Sequence, residues 1–244
     1  MSALQTWWWD FKDTFYRCFI EDSRWKYYTR GLENTLLITF FALIIGLVLG
    51  VIVAIIRSSY DKNIDTMRPG LGKAILSVLN FVSKAYLTVI RGTPVVVQLL
   101  LGVFVIFMFV DDVTVACLVF GINSGAYVAE IIRSGIMSID NGQFEAGRSL
   151  GFNYVQTMCH IILPQAFKNV LPSLANEFIV LIKETSVAGY AGIIDLTKGG
   201  EIIRGRTFEA FMPLIAVAII YLGLVMFFTF LVGKLERRLR TSER

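Results

Sequence analysis

Two stretches of the chain are apolar without interruption. Thr35 to Ile56 contains no charged residue, and Phe211 to Val232 repeats the pattern before Gly233, Lys234 and a basic tail with Arg237, Arg238 and Arg240. About 20 apolar residues, each rising ~1.5 Å, cross a hydrocarbon core of about 30 Å, so both windows read as membrane-spanning helices. Three further windows carry polar interruptions: Pro94 to Val110, Val113 to Ile136 with Glu130 and Arg133, and Val170 to Gly189 with Pro172, Glu177, Lys183 and Glu184. Polar residues in such spans face a bundle interior or a wet cavity. The expected fold is therefore an all-α integral membrane protein of about five transmembrane helices, near 35–56, 94–110, 113–136, 170–189 and 211–232.

Two segments fit the spanning pattern less well. Ser77, Asn80, Lys84, Thr88 and Arg91 recur at three- and four-residue steps, which places them on one face of a helix rising from the membrane interface. In residues 1–30, Trp7, Trp8, Trp9, Phe11, Phe15 and Tyr16 alternate with Asp10, Lys12, Asp13 and Arg17. Aromatic rings among charges favour the headgroup layer, so this segment reads as interfacial, ahead of a transmembrane domain over 31–244. A disordered aromatic tail is the plainer alternative.

Composition agrees with a bilayer as solvent. Of 244 residues, 55% are hydrophobic and 17% charged, and the mean hydropathy is +0.65. The net charge of +4 does not point to nucleic acid, because the basic residues gather at the ends of apolar runs. They set orientation instead. Arg57, Lys62, Arg68 and Lys73 follow the first span, whereas Asp111 and Asp112 form the tight turn between the second and third. Basic connections stay in the cytoplasm, which predicts the N-terminus outside, the segment from Met137 to Gln165 inside and the Arg-rich tail inside. Lys198, Arg204 and Arg206 in an external connection run against the rule, accompanied by Asp195, Glu201 and Glu209. No short apolar stretch with a small-residue cleavage site opens the chain, so no signal peptide is expected. Cys18, Cys117, Cys159 and the single His160 have no spacing suited to zinc or a disulfide framework.

Between the third and fourth spans runs Gly142 Gln143 Phe144 Glu145 Ala146 Gly147 Arg148 Ser149 Leu150 Gly151, and nine residues later Ile161 Ile162 Leu163 Pro164. A short helix bearing Glu145 and ended by Gly151 can protrude into a groove of a soluble partner, and Pro164 suits the first turn of the next helix. A simple cytoplasmic hairpin is the plainer alternative. The spacing resembles the EAA loop of ABC importer permeases, with Gly147 where the family pattern has a second Ala. Three further stretches look like permeases of the polar amino-acid uptake family: Arg91 Gly92 Thr93 Pro94 with Gln98, Asn123 through Arg133, and Asn176 Glu177 Phe178 with Lys183 Glu184 Thr185 Ser186. This resemblance covers roughly Thr35 to Val232. It implies a coupling loop over 140–165 that uses Glu145, Ala146, Gly147, Gly151, Leu163 and Pro164. It also implies a second permease copy or homologous permease, two cytoplasmic ATP-binding subunits and an extracytoplasmic amino-acid-binding protein. The setting it implies is a prokaryotic cytoplasmic membrane. No cofactor is expected on this chain; ATP and Mg belong to the partner ATPase.

Asn123, Tyr127, Glu130 and Ser134 follow one another by four, three and four residues and share a face of the third span. In the bilayer Glu130 must face a cavity, pair with a cation or be neutral. Glu177 and Glu184 share a face of the fourth. By the resemblance, Gln98, Tyr127, Glu130, Glu184 and Thr185 lie near the transport pathway, and we add Asn123 from the stripe. Pairing of Glu130 with Arg133, or of Lys183 with a carboxylate, stands as the structural alternative. Arg91 has the further option of a lipid phosphate.

Chain-borne ATP hydrolysis is excluded by the absence of G-x-x-x-x-G-K-[ST]. At the nearest approach, around Gly72 and Lys73, Met67 holds the first glycine position and Ala74 follows the lysine. A membrane-embedded enzyme would need a catalytic constellation that one histidine and scattered hydroxyls do not make. The competing transport reading is an ion-coupled secondary amino-acid transporter with Glu130 or Glu184 as proton carrier, which the lack of a visible internal repeat disfavours.

Overall fold

The computed structural model describes residues 10–241. Trp7, Trp8 and Trp9 of the aromatic segment lie outside the described residues. The helices in order are α1 (Trp25–Asn63), α2 (Leu71–Gly92), α3 (Val95–Leu101), α4 (Asp112–Met137), α5 (Asn141–Ser149), α6 (Tyr154–Thr157), α7 (Leu163–Glu184), α8 (Leu196–Thr207) and α9 (Phe211–Thr241). The fold is all-helical, as the hydropathy pattern requires. Among the described residues, α1, α2, α4 and α9 are long and apolar enough to cross a membrane.

The pairing of α1 with α4 sets the architecture. Gly50 lies against Val128, and a Cβ at Gly121 would stand 2.6 Å from Ile45 Cβ, so glycine alone fits at this crossing. Ascending numbers in α1 accompany ascending numbers in α4, so the two helices run in the same direction. The chain must therefore return between them, and α2 with α3 makes that return. The Ile90 side packs near Ala126 and Ala129, Gln98 meets Asn123, and Gly102 abuts Val119 and Val115.

This return differs from the expected pattern. Leu71–Gly92, read from sequence as an interfacial helix, has spanning length and apolarity. The window at 94–110 is instead split into α3 and a π turn over Gly102–Ile106. The break is local chemistry: Thr93 is extended at φ −120° and ψ 143°, because proline disfavours the helical conformation in the residue before it. Gln98 Nε2 donates 2.8 Å to the Ile90 carbonyl and 2.8 Å to Thr93 Oγ1, bridging carbonyls and hydroxyl freed by the break. The fourth window is also displaced. α7 starts at Leu163 and ends at Glu184, and Thr185–Ala191 follows as a 3-10 helix.

Helix α7 runs antiparallel to α4, with Val170 against Gly135 and Glu177 beside Ser124. Helix α9 then packs on α8 and α7, with Phe228 edge-on to Phe178 at 4.8 Å. Ile38, Leu99, Val115, Phe120 and Leu181 form the main core where α1, α3, α4 and α7 meet. The opposite faces of α1 and α9 expose Phe40, Val48, Ile52, Ile219, Met226 and Phe230, as a lipid-facing or subunit-facing surface would.

The first turn of α8 is tied to α1. Asp195 accepts from the backbone N–H groups of Thr197 at 2.9 Å and Lys198 at 3.1 Å. Burial pushes its carboxyl up, opposed by those two donors. Thr35 Oγ1 accepts from Leu196 N at 3.1 Å, and Asn34 donates to the Ile194 carbonyl at 2.8 Å. Before α1, residues 16–24 fold back rather than trail: Cys18 is buried with Tyr28, Leu196 and Ile203, and Phe19 stacks on Tyr28 at 5.6 Å.

Since overpacking a tight contact costs about 1–3 kcal/mol, Gly121→Val is expected to lower the thermal unfolding midpoint of the purified chain. Gly223→Ala, inside α9 where an added Cβ meets nothing within 4 Å, is expected to leave it unchanged or raise it, since alanine suits a helix interior better than glycine. Equal midpoints for the two variants, measured in the same detergent, would contradict the α1–α4 assignment.

Candidate functional site

The EAA-like segment forms a helical hairpin at the end of the bundle shared by the C-terminal ends of α1 and α4. Asp140 caps α5 by accepting from Gly142 N at 2.7 Å. At the other end Gly151 adopts φ +79°, and Phe152 N bonds the Gly147 carbonyl at 3.0 Å, the left-handed stop that glycine permits. An Asn153–Gln156 capping box starts α6, and a π turn over Met158–Ile162 leads into α7, with Pro164 in its first turn.

Gly147 has a specific reason to replace alanine. A Cβ there would lie 2.6 Å from Thr157 Cγ2 and 2.7 Å from Thr157 Oγ1, so the glycine lets α5 and α6 touch. The close approach that this glycine permits is made within the chain. Gly147 is buried, while Glu145, Ala146, Arg148 and Leu150 face outward. Leu163 packs inward on Ile136, Ile139 and Ile162, anchoring the hairpin to the end of α4, and Pro164 remains exposed.

Sequence reasoning missed Lys62, which ties α1 to this hairpin. Its Nζ donates 2.8 Å to Asn141 Oδ1 and stands 4.5 Å above the Phe144 ring. A cavity of about 380 Å³ lies between them, lined by Lys62, Phe144, Glu145, Arg148, Tyr154 and Thr157. No periodic signal connects residues so far apart in the chain.

A second cavity, about 470 Å³, lies between α4 and α7. Tyr127, Glu130 and Ser134 line it, as the helical stripe predicted, together with Arg91, Ser173 and Glu177. Glu130 lies 3.1 Å from Arg133 and 3.8 Å from Arg91. Arg133 in turn bonds Asp61 at 3.2 Å, and the Arg91 guanidinium sits 5.5 Å from the Tyr127 ring centre. Glu130 therefore has both of the partners open to it, a cation and a cavity. Glu177 is buried and accepts from Ser124 Oγ at 3.1 Å.

The other predicted site residues do not line this cavity. Asn123 donates 3.1 Å to Gln98 Oε1, a bond that fixes the break before α3 against α4. Thr185 is fully buried and donates to the Ile182 carbonyl at 2.7 Å. Glu184 is half-buried on the same helix as Glu177, two turns along. The arrangement offers an arginine and two carboxylates around one wet space, a set of groups that can meet a zwitterion at both ends.

Comparison with known proteins agrees with this architecture. A family model described as binding-protein-dependent transport system inner membrane component matches residues 70–241. The arginine transport system permease protein ArtQ of Bacillus subtilis is 36% identical, covering 87% of this chain and 92% of the relative. The glutamine transport system permease protein GlnP of Escherichia coli K12 is 36% identical over 86% of this chain and 91% of its own. Among solved structures, an amino acid ABC transporter with histidines matches with TM-score 0.77 and 39% identity, covering 87% of this chain and 94% of that one. An inward-facing MetNI methionine ABC transporter shares the fold, with TM-score 0.73 and 20% identity over 91% and 99% of the chains. The match over most of the chain, with these relatives at 36% identity, places it in one group: it belongs to the family of binding-protein-dependent transport system inner membrane components, as a multi-pass permease subunit and not an enzyme.

Proposed function

We propose that this chain is the permease subunit of an importer for polar or charged amino acids, driven by ATP through separate subunits. The observation that carries the reading is the continuity between the exposed hairpin and the cavity. Lys62 and Leu163 attach the hairpin to the ends of α1 and α4. Asp61, next to Lys62, and Arg133 and Glu130, about one and two turns back from the end of α4, form a chain of ion pairs that reaches Arg91 at the cavity wall. A displacement of the hairpin therefore acts on the helices that carry the charged wall. Two ATP-binding subunits, holding ATP and Mg, would bias an equilibrium between inward- and outward-open states by binding the two states unequally.

In this reading the hairpin is cytoplasmic, the N-terminus external and the C-terminus internal, in a prokaryotic cytoplasmic membrane. A second copy or a homologous permease completes the pathway, and an extracytoplasmic binding protein delivers the amino acid. The names of the glutamine and arginine relatives support the substrate class. Tyr127 and Glu130 are assigned to the pathway with Arg91 and Glu177 beside them. Gln98 and Asn123 hold its wall, and Glu184 and Thr185 lie further along α7.

Glu145→Lys reverses an exposed charge on α5, and Gly151→Asp places a side chain at positive φ, a strain of about 1 kcal/mol. Both variants are expected to reach the membrane in normal amount but to retain less ATPase on co-purification. Full ATPase retention and full transport in both would defeat the docking assignment.

Glu130→Gln is expected to weaken substrate stimulation of the ATPase while basal hydrolysis and assembly persist. If Glu130 serves only as the partner of Arg133 and Arg91, the loss should appear instead in the yield of assembled complex, because removing one ion leaves others unpaired. Unaltered uptake would remove Glu130 from the pathway.

A further inference from the structure

Helix α2 carries a polar stripe of which only Arg91 reaches the transport cavity. Asn80, Lys84, Thr88 and Arg91 follow one another by three or four residues and so share a face. Asn80 accepts from Arg57 of α1 at 2.8 Å. Beyond that bond the stripe opens into a cavity of about 360 Å³ lined by Arg57, Lys84, Thr88, Arg91, Gly92 and Glu130.

Three cations meet one carboxylate in this space, and that carboxylate is already held by Arg133 at 3.1 Å. Lys84 is exposed and has no hydrogen-bond or ion-pair partner among the described residues. Arg57 gives one N–H to Asn80, while its Nε is buried without an acceptor. The cavity thus holds a surplus of positive charge and unused donors. Phe81, 72% exposed, stands beside the stripe, and beyond it the far face of the helix is apolar and bare, with Val78 62% and Val82 58% exposed.

Cations within a spanning helix are costly unless an anion meets them. Basic pockets between transmembrane helices suit anionic headgroups, and an apolar flank suits the attached acyl chains. We propose that Arg57, Lys84 and Arg91 form a phosphate-binding site, occupied by the headgroup of an anionic phospholipid whose chains pass over Phe81 onto the bare apolar face of Val78 and Val82. The guanidinium groups supply directed N–H donors to the phosphate oxygens, and the flexible Lys84 ammonium closes over them. The site adjoins the transport cavity at Arg91 and Glu130, so an occupied headgroup bears on the same ion-pair chain. It does not depend on which solute is carried.

The full chain, reconstituted without ATPase or substrate in nanodiscs of phosphatidylcholine with a minor share of phosphatidylglycerol, tests this by native mass spectrometry of retained lipid. Phosphatidylglycerol should be retained in preference to phosphatidylcholine. Lys84→Gln should reduce that preference about fivefold, the effect of one basic group near a membrane surface. Lys168→Gln, which removes an exposed lysine outside the cavity, should not. Lys84 makes no bond among the described residues, so its variant is expected to fold, and Arg57→Gln is read only alongside it. Displacement of phosphatidylglycerol by inorganic phosphate would support the phosphate site with the free anion as its ligand. Equal retention of the two lipids with no phosphate binding, or an unchanged preference in Lys84→Gln, would overturn the proposal.

Discussion

The close approach of α1 and α4 is the contact on which the remainder depends. In a bilayer the hydrophobic effect does not drive helices together, because lipid tails are as apolar as leucine. Association relies on packing, and packing on small residues that let backbones meet. Gly50 and Gly121 provide that at this crossing. Because α1 is 39 residues long, it extends beyond the hydrocarbon at both ends. One end receives α8 through Thr35 and Asn34, and the other reaches the hairpin through Lys62. A single rigid member thus connects the two surfaces of the protein, with α4 beside it carrying the charged wall.

The charged groups obey a second constraint. Glu130, Arg133, Asp61 and Arg91 all lie toward one end of the bundle and form successive pairs. None of them is fully buried, and each meets an opposite charge. The consequence of the chain is positional. It holds Glu130 at the cavity edge and links that edge to helices bearing the hairpin.

Much of this was legible in the sequence, for reasons that differ by element. The stripe of Tyr127, Glu130 and Ser134 was readable because helical periodicity alone decides which residues share a face. The hairpin was readable because Gly151 and Pro164 act within a few residues of themselves, whereas the cap by Asp140 was found only in the structure. The path of α2 and α3 was not. Its polar stripe suggested an interface, whereas that stripe faces Arg57 and Glu130 on other helices, a tertiary fact that hydropathy does not contain. Thr93 and Pro94 did mark the break, but the length of helix on either side had to come from the fold. Glu177 was visible as a polar interruption of a span, yet only the approach of Ser124 shows how it is accommodated. The fit of Gly147 against Thr157 likewise required both helices in place.

The most direct measurement of the central claim is amino-acid uptake into proteoliposomes containing this chain with its ATPase and binding protein, comparing luminal ATP with imposed proton and sodium gradients. The account predicts uptake that requires ATP and the separate ATPase and is insensitive to collapse of the gradients by ionophores. Uptake by the chain alone, driven by a gradient and abolished by ionophores, would contradict it.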